Sequence, residues 1–147
     1  MDTPLNSNRA PFQVLVFLYR IENSKPLYLI LKRSDADYWQ PVAGGGEGDE
    51  NPQQTGVRET FEETDQRIND KLIVIPLTQF VSVFETFNKL LWGPQVTIIP
   101  HYLFGCEVLD SEVKLSEEHT EYAWMSFERA VDKLYWPDNI SALKYLH

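Results

Sequence analysis

Residues 44–63 read GGGEGDENPQQTGVRETFEE. Within them Gly44, Glu50, Arg58, Glu59, Glu62 and Glu63 fit the spacing G-x5-E-x7-R-E-x2-E-E. At average residue usage, six required types at fixed gaps arise by chance on the order of once in ten million starting positions. Asn51 is a good N-cap, Pro52 suits the first helical position, and Gln54 stands where the second half of a capping box belongs. These signals predict a helix over 52–64. Glu59, Glu62 and Glu63, spaced i, i+3, i+4, then share one face. Val57, Thr60, Phe61 and Thr64 fall on the opposite face, which is expected to meet the core. Three carboxylates this close repel one another or take up protons. A hard divalent cation removes the conflict, because carboxylate oxygens are its preferred ligands. Magnesium in particular keeps positions for water and for substrate phosphate.

Acidic residues three and four apart more often mark a solvated helix face. What separates this stretch from that background is the arrival of a cap, a glycine run, Glu50 and Arg58 at set distances from the acids. The expected context is strand, glycine loop, helix.

Outward from the motif, the chain has 147 residues, enough for one domain with a proper core. Its formal net charge is −9, which argues against binding duplex nucleic acid through the backbone. An anionic substrate then needs local help from metal ions or a few placed cations. Cys106 is the only cysteine, so no internal disulfide forms and a reducing, cytoplasmic setting is expected. It lies in the apolar run 102–108 and reads as a buried structural thiol. No apolar run approaches transmembrane length, and no membrane partner is expected. The apolar stretch 12–18 suits a buried strand, and no small-residue cleavage site follows it.

Residues 1–10 are polar and expected to be loose. Segments 11–19 and 27–32 read as a hairpin around Glu22-Asn23-Ser24-Lys25-Pro26. Residues 39–43 form a short strand leading into the glycine loop, and 72–84 and 96–104 read as strands. Pro100 inside the last of these points to a bulge or an edge. A short strand at 122–125 precedes helices over 127–134 and 139–146, the second with Asp138 as its cap. Mixed strands and a few helices place the chain in the α/β or α+β class as one domain over 1–147.

The motif resembles the signature of the Nudix hydrolases. That family cleaves diphosphate linkages in compounds of the form nucleoside-diphosphate-X, using magnesium or manganese. The resemblance implies an α-β-α sandwich around a mixed central sheet. It implies divalent metal held by Glu59, Glu62 and Glu63, with the backbone carbonyl of Ala43 as a further ligand. Glu50 and Arg58 match supporting positions, the arginine orienting a catalytic glutamate. Gly44, Gly45, Gly46 and Gly48 let the backbone approach metal and phosphate. Three residues depart from the family pattern: Thr60 and Gln66 where aliphatic residues are usual, and Asp65 where glycine is. Thr60 is expected to bond back to a helical carbonyl. Asp65 tolerates a left-handed helix end better than most non-glycine residues.

Outside the motif, Leu31-Lys32-Arg33 followed by Asp37-Tyr38-Trp39-Gln40 looks like the approach to the motif in dihydroneopterin triphosphate pyrophosphatases. Segment 116–124, with Trp136 and Asn139 ahead of a terminal helix, looks like the same subgroup. That late segment also resembles diadenosine tetraphosphate hydrolases, whose usual Lys-Gly-His element is missing from 42–47. The implied activity is hydrolysis of a pterin or nucleoside triphosphate to a monophosphate and pyrophosphate. The implied partner is a small phosphorylated substrate, and the expected assembly is a monomer or homodimer. Glu118 is a candidate for an extra metal ligand or base, with neighbouring His119 a weaker one. Arg33 offers a planar donor fork to a phosphate. Tyr38, Trp39, Phe84, Phe87, Tyr135 and Trp136 supply candidates for stacking a base or pterin. His101 reads as a packed or pocket-lining residue.

Overall fold

The structure is a computed structural model that describes residues 8–69 and 71–147. Strands β1 (Arg9–Glu22) and β2 (Lys25–Arg33) form the expected hairpin. Asn23 and Ser24 both take positive φ, 52° and 66°, giving a two-residue turn whose twist matches that of the strands. Pairing therefore runs out to Glu22↔Lys25, and both strands exceed their expected lengths. Most of the segment expected to be loose, 1–7, lies outside the described residues. Arg9 and Ala10 are already strand, with Arg9 paired to Glu47.

The glycine run, expected to be a loop, is instead a strand. β3 (Trp39–Gln40) is followed by β4 (Val42–Glu47), which pairs antiparallel with β1 at Val14↔Gly44 and Gln13↔Gly45. Glycine weakens a strand, but a long neighbouring ladder holds this one in place. The chain then turns into helix α1 (Pro52–Thr64). Its start is the predicted capping box: Gln54 N donates to Asn51 Oδ1 at 2.8 Å and Asn51 N to Gln54 Oε1 at 2.9 Å. Its end is Asp65 in the left-handed region at φ 63°, with its N–H on the Phe61 carbonyl.

The rest comprises β5 (Ile73–Ser82), α2 (Val83–Phe87), β6 (Ile98–Glu107), β7 (His119–Met125), α3 (Phe127–Lys133) and α4 (Pro137–Leu146). The strand expected over 72–84 thus ends in a helical turn capped by Ser82. The last helix starts earlier than expected. Trp136 is its N-cap, without a side-chain bond, and Asp138 sits in the first turn, where its charge suits the helix dipole. Seven strands make one mixed sheet of order β3-β2-β1-β6-β5, with β4 on β1 and β7 on β2. Of these pairings β1 with β6 is parallel. Pro100 falls where β6 has β5 as partner but has run beyond its pairing with β1, so its missing N–H breaks no second ladder.

Side chains alternate along β1 and so feed two cores. Leu15 and Phe17 pack with Ile30, Leu103, Ala130, Ala142 and Leu143 under α3 and α4. Val14, Val16 and Leu18 pack with Leu29, Leu31 and Phe104 on the other face. There α1 lies so close that a Cβ on Gly56 would come within 3.3 Å of Val16. The result is an α-β-α sandwich. Truncating fully buried Phe17 to alanine would cost about 3–5 kcal/mol. Cys106 is buried and free, and burial raises its thiol pKa. Among the described residues no helix is long and apolar enough to cross a membrane.

Candidate active site

Helix α1 meets the sheet along a face that agrees only in part with the expected one: Thr60 and Thr64 are buried as expected, Val57 and Phe61 are not. Thr55, Gly56, Thr60, Glu63 and Thr64 are buried, whereas Phe61 is exposed with Arg67 stacked on its ring at 4.4 Å. Small and polar side chains thus face inward, and the apolar Val57 and Phe61 do not make the contact assigned to them. Thr60 does not bond back to a carbonyl. Its buried Oγ1 has no partner, and Thr64 Oγ1 instead donates to the Thr60 carbonyl at 2.6 Å. Gln66 is polar for a visible reason. Its Nε2 donates to the carbonyls of Asp110 and Glu112 at 2.8 and 2.7 Å, tying that loop to the helix exit.

Arg58 and Glu50 form a latch. Arg58 Nε donates to Glu50 Oε2 at 2.7 Å, and Nη2 donates to the Gly45 carbonyl at 2.8 Å. Glu50 Oε1 accepts from Thr55 Oγ1 at 2.8 Å and from the Glu47 N–H at 3.0 Å. Burial pushes the Glu50 carboxyl up, but its hydrogen bonds from Arg58, Thr55 and Glu47 outweigh that and hold it below its ordinary value. Burial likewise pulls Arg58 down, and Glu50, Glu59 and Glu47 more than reverse it. One guanidinium therefore joins the helix, the turn before it and the glycine strand.

Glu59 and Glu63 stand differently. Glu63 is about 1% exposed, Glu59 is mostly buried, and each carboxyl acts on the other's proton affinity. Burial comes first among the causes that raise both pKa values. Arg58 opposes the rise at Glu59, while Glu59 and Glu118 add to it at Glu63. Glu63 Oε1 also accepts the Ala43 N–H at 3.5 Å. His119 Nε2 lies 3.9 Å from Glu63. Burial lowers the His119 pKa to about 4, so a neutral ring meets a carboxyl that favours its proton, and the contact is no ion pair. Both ring nitrogens of His119 are buried without a partner.

The third glutamate is set apart. Glu62 has a half-exposed side chain directed at Arg58 Nη1, 3.2 Å away. Among the described residues no three His, Cys, Asp or Glu side chains converge as a cation cage. The donors present still fit a hard divalent ion. Two carboxyls are held together out of water, and the only cation touching them among the described residues is Arg58, at 3.3 Å from Glu59. Gly44 leaves room for this: a Cβ there would occupy the position of the Glu59 carboxylate. Such an ion would complete its shell from backbone oxygen, water and phosphate rather than from a third buried side chain.

Glu59 opens into a cleft of about 820 Å³. Its wall also carries Ala43, Gly44, Gly45, Arg33, Glu118 and Trp136, so these sequence-derived candidates are brought together. Glu63 and the Arg58–Glu50 latch lie behind this wall. Trp39 does not reach the cleft. It packs against the core, its carbonyl accepts the Tyr135 N–H, and its neighbour Tyr38, just ahead of β3, lines the cleft instead. Tyr38 stacks on Tyr135 at 4.8 Å and meets Trp136 edge-on at 5.6 Å, forming an aromatic wall. Arg33 has its fork closed on Asp35, with Nε and Nη2 each 2.6 Å from a carboxylate oxygen.

Sequence reasoning missed Arg9, Gln13 and Ser82, and saw His101 as pocket-lining without a neighbour. Gln13 and His101 are register partners across β1 and β6, on the cleft floor. Burial lowers the His101 pKa to about 4, so the floor is uncharged at neutral pH. The signal for Gln13 was present in the alternation Gln13, Leu15, Phe17, where one polar residue heads an inward-facing row.

Comparison with known proteins agrees with this architecture. The NUDIX domain model matches residues 11–146. A dihydroneopterin triphosphate diphosphatase of Haemophilus influenzae is 29% identical over 133 residues, covering 89% of this chain and 84% of that protein. An asymmetrical bis(5'-nucleosyl)-tetraphosphatase of Sus scrofa is 28% identical over 129 residues, covering 87% and 83%. The crystal structure of a NUDIX hydrolase from Listeria monocytogenes superposes with a TM-score of 0.78 at 34% identity, covering 93% and 92% of the two chains. With the motif set on a capped helix against a glycine strand, and the family model spanning nearly the whole chain, the protein belongs to the Nudix family and is one of its pyrophosphohydrolases.

Proposed function

We propose that the protein hydrolyses a diphosphate linkage in a pterin or nucleoside triphosphate, with magnesium or manganese, giving a monophosphate and pyrophosphate. The observation that carries this reading is the Glu59–Glu63 pair, two neighbouring buried carboxyls of which Glu59 opens into a cleft with an aromatic wall. A bound divalent ion would neutralise phosphate charge and make water a better nucleophile. Glu59 and Glu63 would hold it, with the Ala43 carbonyl beside them and Glu62 and Glu118 the further candidates. The water oxygen forms the new bond to phosphorus, the bridging P–O bond breaks, and diphosphate leaves with the bond electrons. A carboxylate takes the proton that water gives up. Glu118 faces the pair from a separate loop, and its charge is felt at both Glu59 and Glu63, which makes it a candidate for that role. Arg58 and Glu50 fix the helix against the strand so that these groups keep their positions.

The two curated relatives named above carry out cleavage of a pterin triphosphate and of a dinucleoside tetraphosphate by name. The triphosphate reading is favoured by the segment around Arg33–Gln40 and by Trp136 and Asn139, both of which line the cleft. The test is product analysis with magnesium present, on dihydroneopterin triphosphate, the deoxynucleoside triphosphates and diadenosine tetraphosphate. Pyrophosphate with a monophosphate from a triphosphate is the expected result. Turnover confined to diadenosine tetraphosphate would transfer the assignment to that class. No product from any of them would leave a nucleotide-binding module.

A further inference from the structure

We propose that Arg9, at the start of β1, receives a phosphoryl group of the substrate's polyphosphate. The proposal deepens the function proposed above and rests on it for the nature of the substrate. Arg9 lines the cleft that Glu59 opens into. Its guanidinium lies over Gly45, where any Cβ would collide with it. Adjacent glycines in β4 therefore serve two charges of opposite sign: Gly44 admits the Glu59 carboxylate and Gly45 admits the Arg9 guanidinium.

Among the described residues the side chain is held in place without an ion-pair partner within contact distance. Its guanidinium carbon sits 5.0 Å from the centre of the Phe87 ring. Phe87 is braced edge-on by Trp92 at 5.8 Å, and Trp92 Nε1 donates to the Arg9 carbonyl at 2.8 Å. Arg9 Nε is buried and has no hydrogen-bond partner among the described residues. Burial lowers its pKa while Glu59 and Glu47 oppose that, and a guanidinium keeps its charge in proteins. Arg33, the other guanidinium on this wall, is occupied by Asp35 in a two-point contact. In a chain of net charge −9, a fork that has no hydrogen-bond partner among the described residues suits an anion with several oxygens. A phosphate chain held at the acidic pair would present such oxygens to it.

The test is titration calorimetry with magnesium present, using two probes: a nucleoside triphosphate with a carbon α,β bridge, and inorganic triphosphate. Arg9→Gln is expected to weaken both by about tenfold or more, since each offers the same phosphate chain. Arg9→Lys keeps the charge without the fork and should recover part of the loss. Arg129→Gln, an exposed arginine on α3 that removes the same charge, should stay within about twofold. Affinities of Arg9→Gln within about twofold of the parent for both probes would overturn the proposal, on the same tenfold-per-1.4-kcal/mol scale. So would a loss confined to the nucleoside probe, which would assign Arg9 to the base, or absence of binding by the parent. Should Arg9→Gln fail to fold, an unchanged Arg9→Lys overturns the role of the fork. Binding needs no turnover, so a parent that binds but releases no pyrophosphate sinks the proposed function and leaves Arg9 standing. A parent that hydrolyses while Arg9→Gln binds normally sinks Arg9 alone.

Discussion

Glu50 and Glu63 are thirteen positions apart in one motif, and the protein treats them in opposite ways. Glu50 accepts from Arg58, Thr55 and the Glu47 backbone, and its pKa is held down. Glu63 is more deeply buried, faces another carboxyl, and its pKa is pushed up. A buried carboxylate with such neighbours normally finds a cation or is replaced by an apolar residue. The difference separates structure from chemistry within a single pattern. Glu50 spends its charge fixing the backbone, whereas Glu63 and Glu59 keep an unmet demand for positive charge where the cleft begins.

The largest effect that would break this contrast is at the unmet pair. Glu63→Gln and Glu59→Gln are each expected to lower pyrophosphate release by at least about 100-fold at saturating magnesium. The same substitutions should leave the metal-free protein at pH 8 as stable as the parent or more so, because they remove a buried charge. Lost turnover with a falling melting temperature would make the pair structural, like Glu50. Next in size is the latch. Arg58→Gln leaves Glu50 half-satisfied and takes a donor from the Gly45 carbonyl, a loss of about 2–3 kcal/mol, read by denaturant unfolding.

How far this contrast was legible in the sequence depends on the range of the forces involved. The cap of α1 was readable because Asn51, Pro52 and Gln54 act within one turn. The grouping of acids on one ridge followed from helical periodicity alone. Which residues beside that ridge would be buried followed only in part, for Thr60 and Thr64 but not for Val57 and Phe61. Hydrophobicity points to Val57 and Phe61, but the sheet presents glycines here, and glycine accepts the side chains that come closest, Glu59 among them. The strand character of 42–47 was hidden for a related reason. Glycine carries little strand preference of its own, and the ladder to β1 is a non-local fact. Arg9 was lost because polar termini usually fray, and only pairing with Glu47 and the bond from Trp92 show otherwise.

A smaller effect should appear in the pH dependence of the metal-free protein. Glu59 and Glu63 have raised folded-state values, so above their ordinary value of 4.5 the folded form holds more protons than the unfolded form. Their contribution therefore falls as pH rises and levels off above the folded values. Glu50 runs the other way, with stability present above 4.5 and lost as pH falls through its lowered value. His101 and His119, lowered from 6.5 to about 4, also add stability as pH rises, but only up to about 6.5. Above pH 6.5 the pair is left alone among these groups, and melting temperature in EDTA should decline with pH. Glu63→Gln should flatten the decline, and magnesium should raise the melting temperature more at pH 8 than at pH 5.5. A flat parent profile above 6.5 would remove the energetic half of the contrast.

Glu62 decides where the boundary between the two treatments runs. Its side chain is half-exposed and its partner is Arg58 at i−4, which places it with the latch. Its position in the motif places it with the acids that would hold metal. An exposed pair of this spacing contributes only about 0.3–0.5 kcal/mol, so Glu62→Gln should hardly move the unfolding midpoint. If Glu62 turns inward when an ion arrives, the same substitution lowers turnover by about tenfold, with the deficit partly recovered at higher magnesium. That recovery is the informative reading, since a lost ligand weakens metal affinity whereas a lost surface contact does not. Turnover within about threefold of the parent at every magnesium concentration would fall short of what even outer-shell metal partners show on removal. It would assign Glu62 to the latch and leave Glu59 and Glu63 as the acids of α1 that would hold the ion, with Glu59 alone of the two lining the cleft.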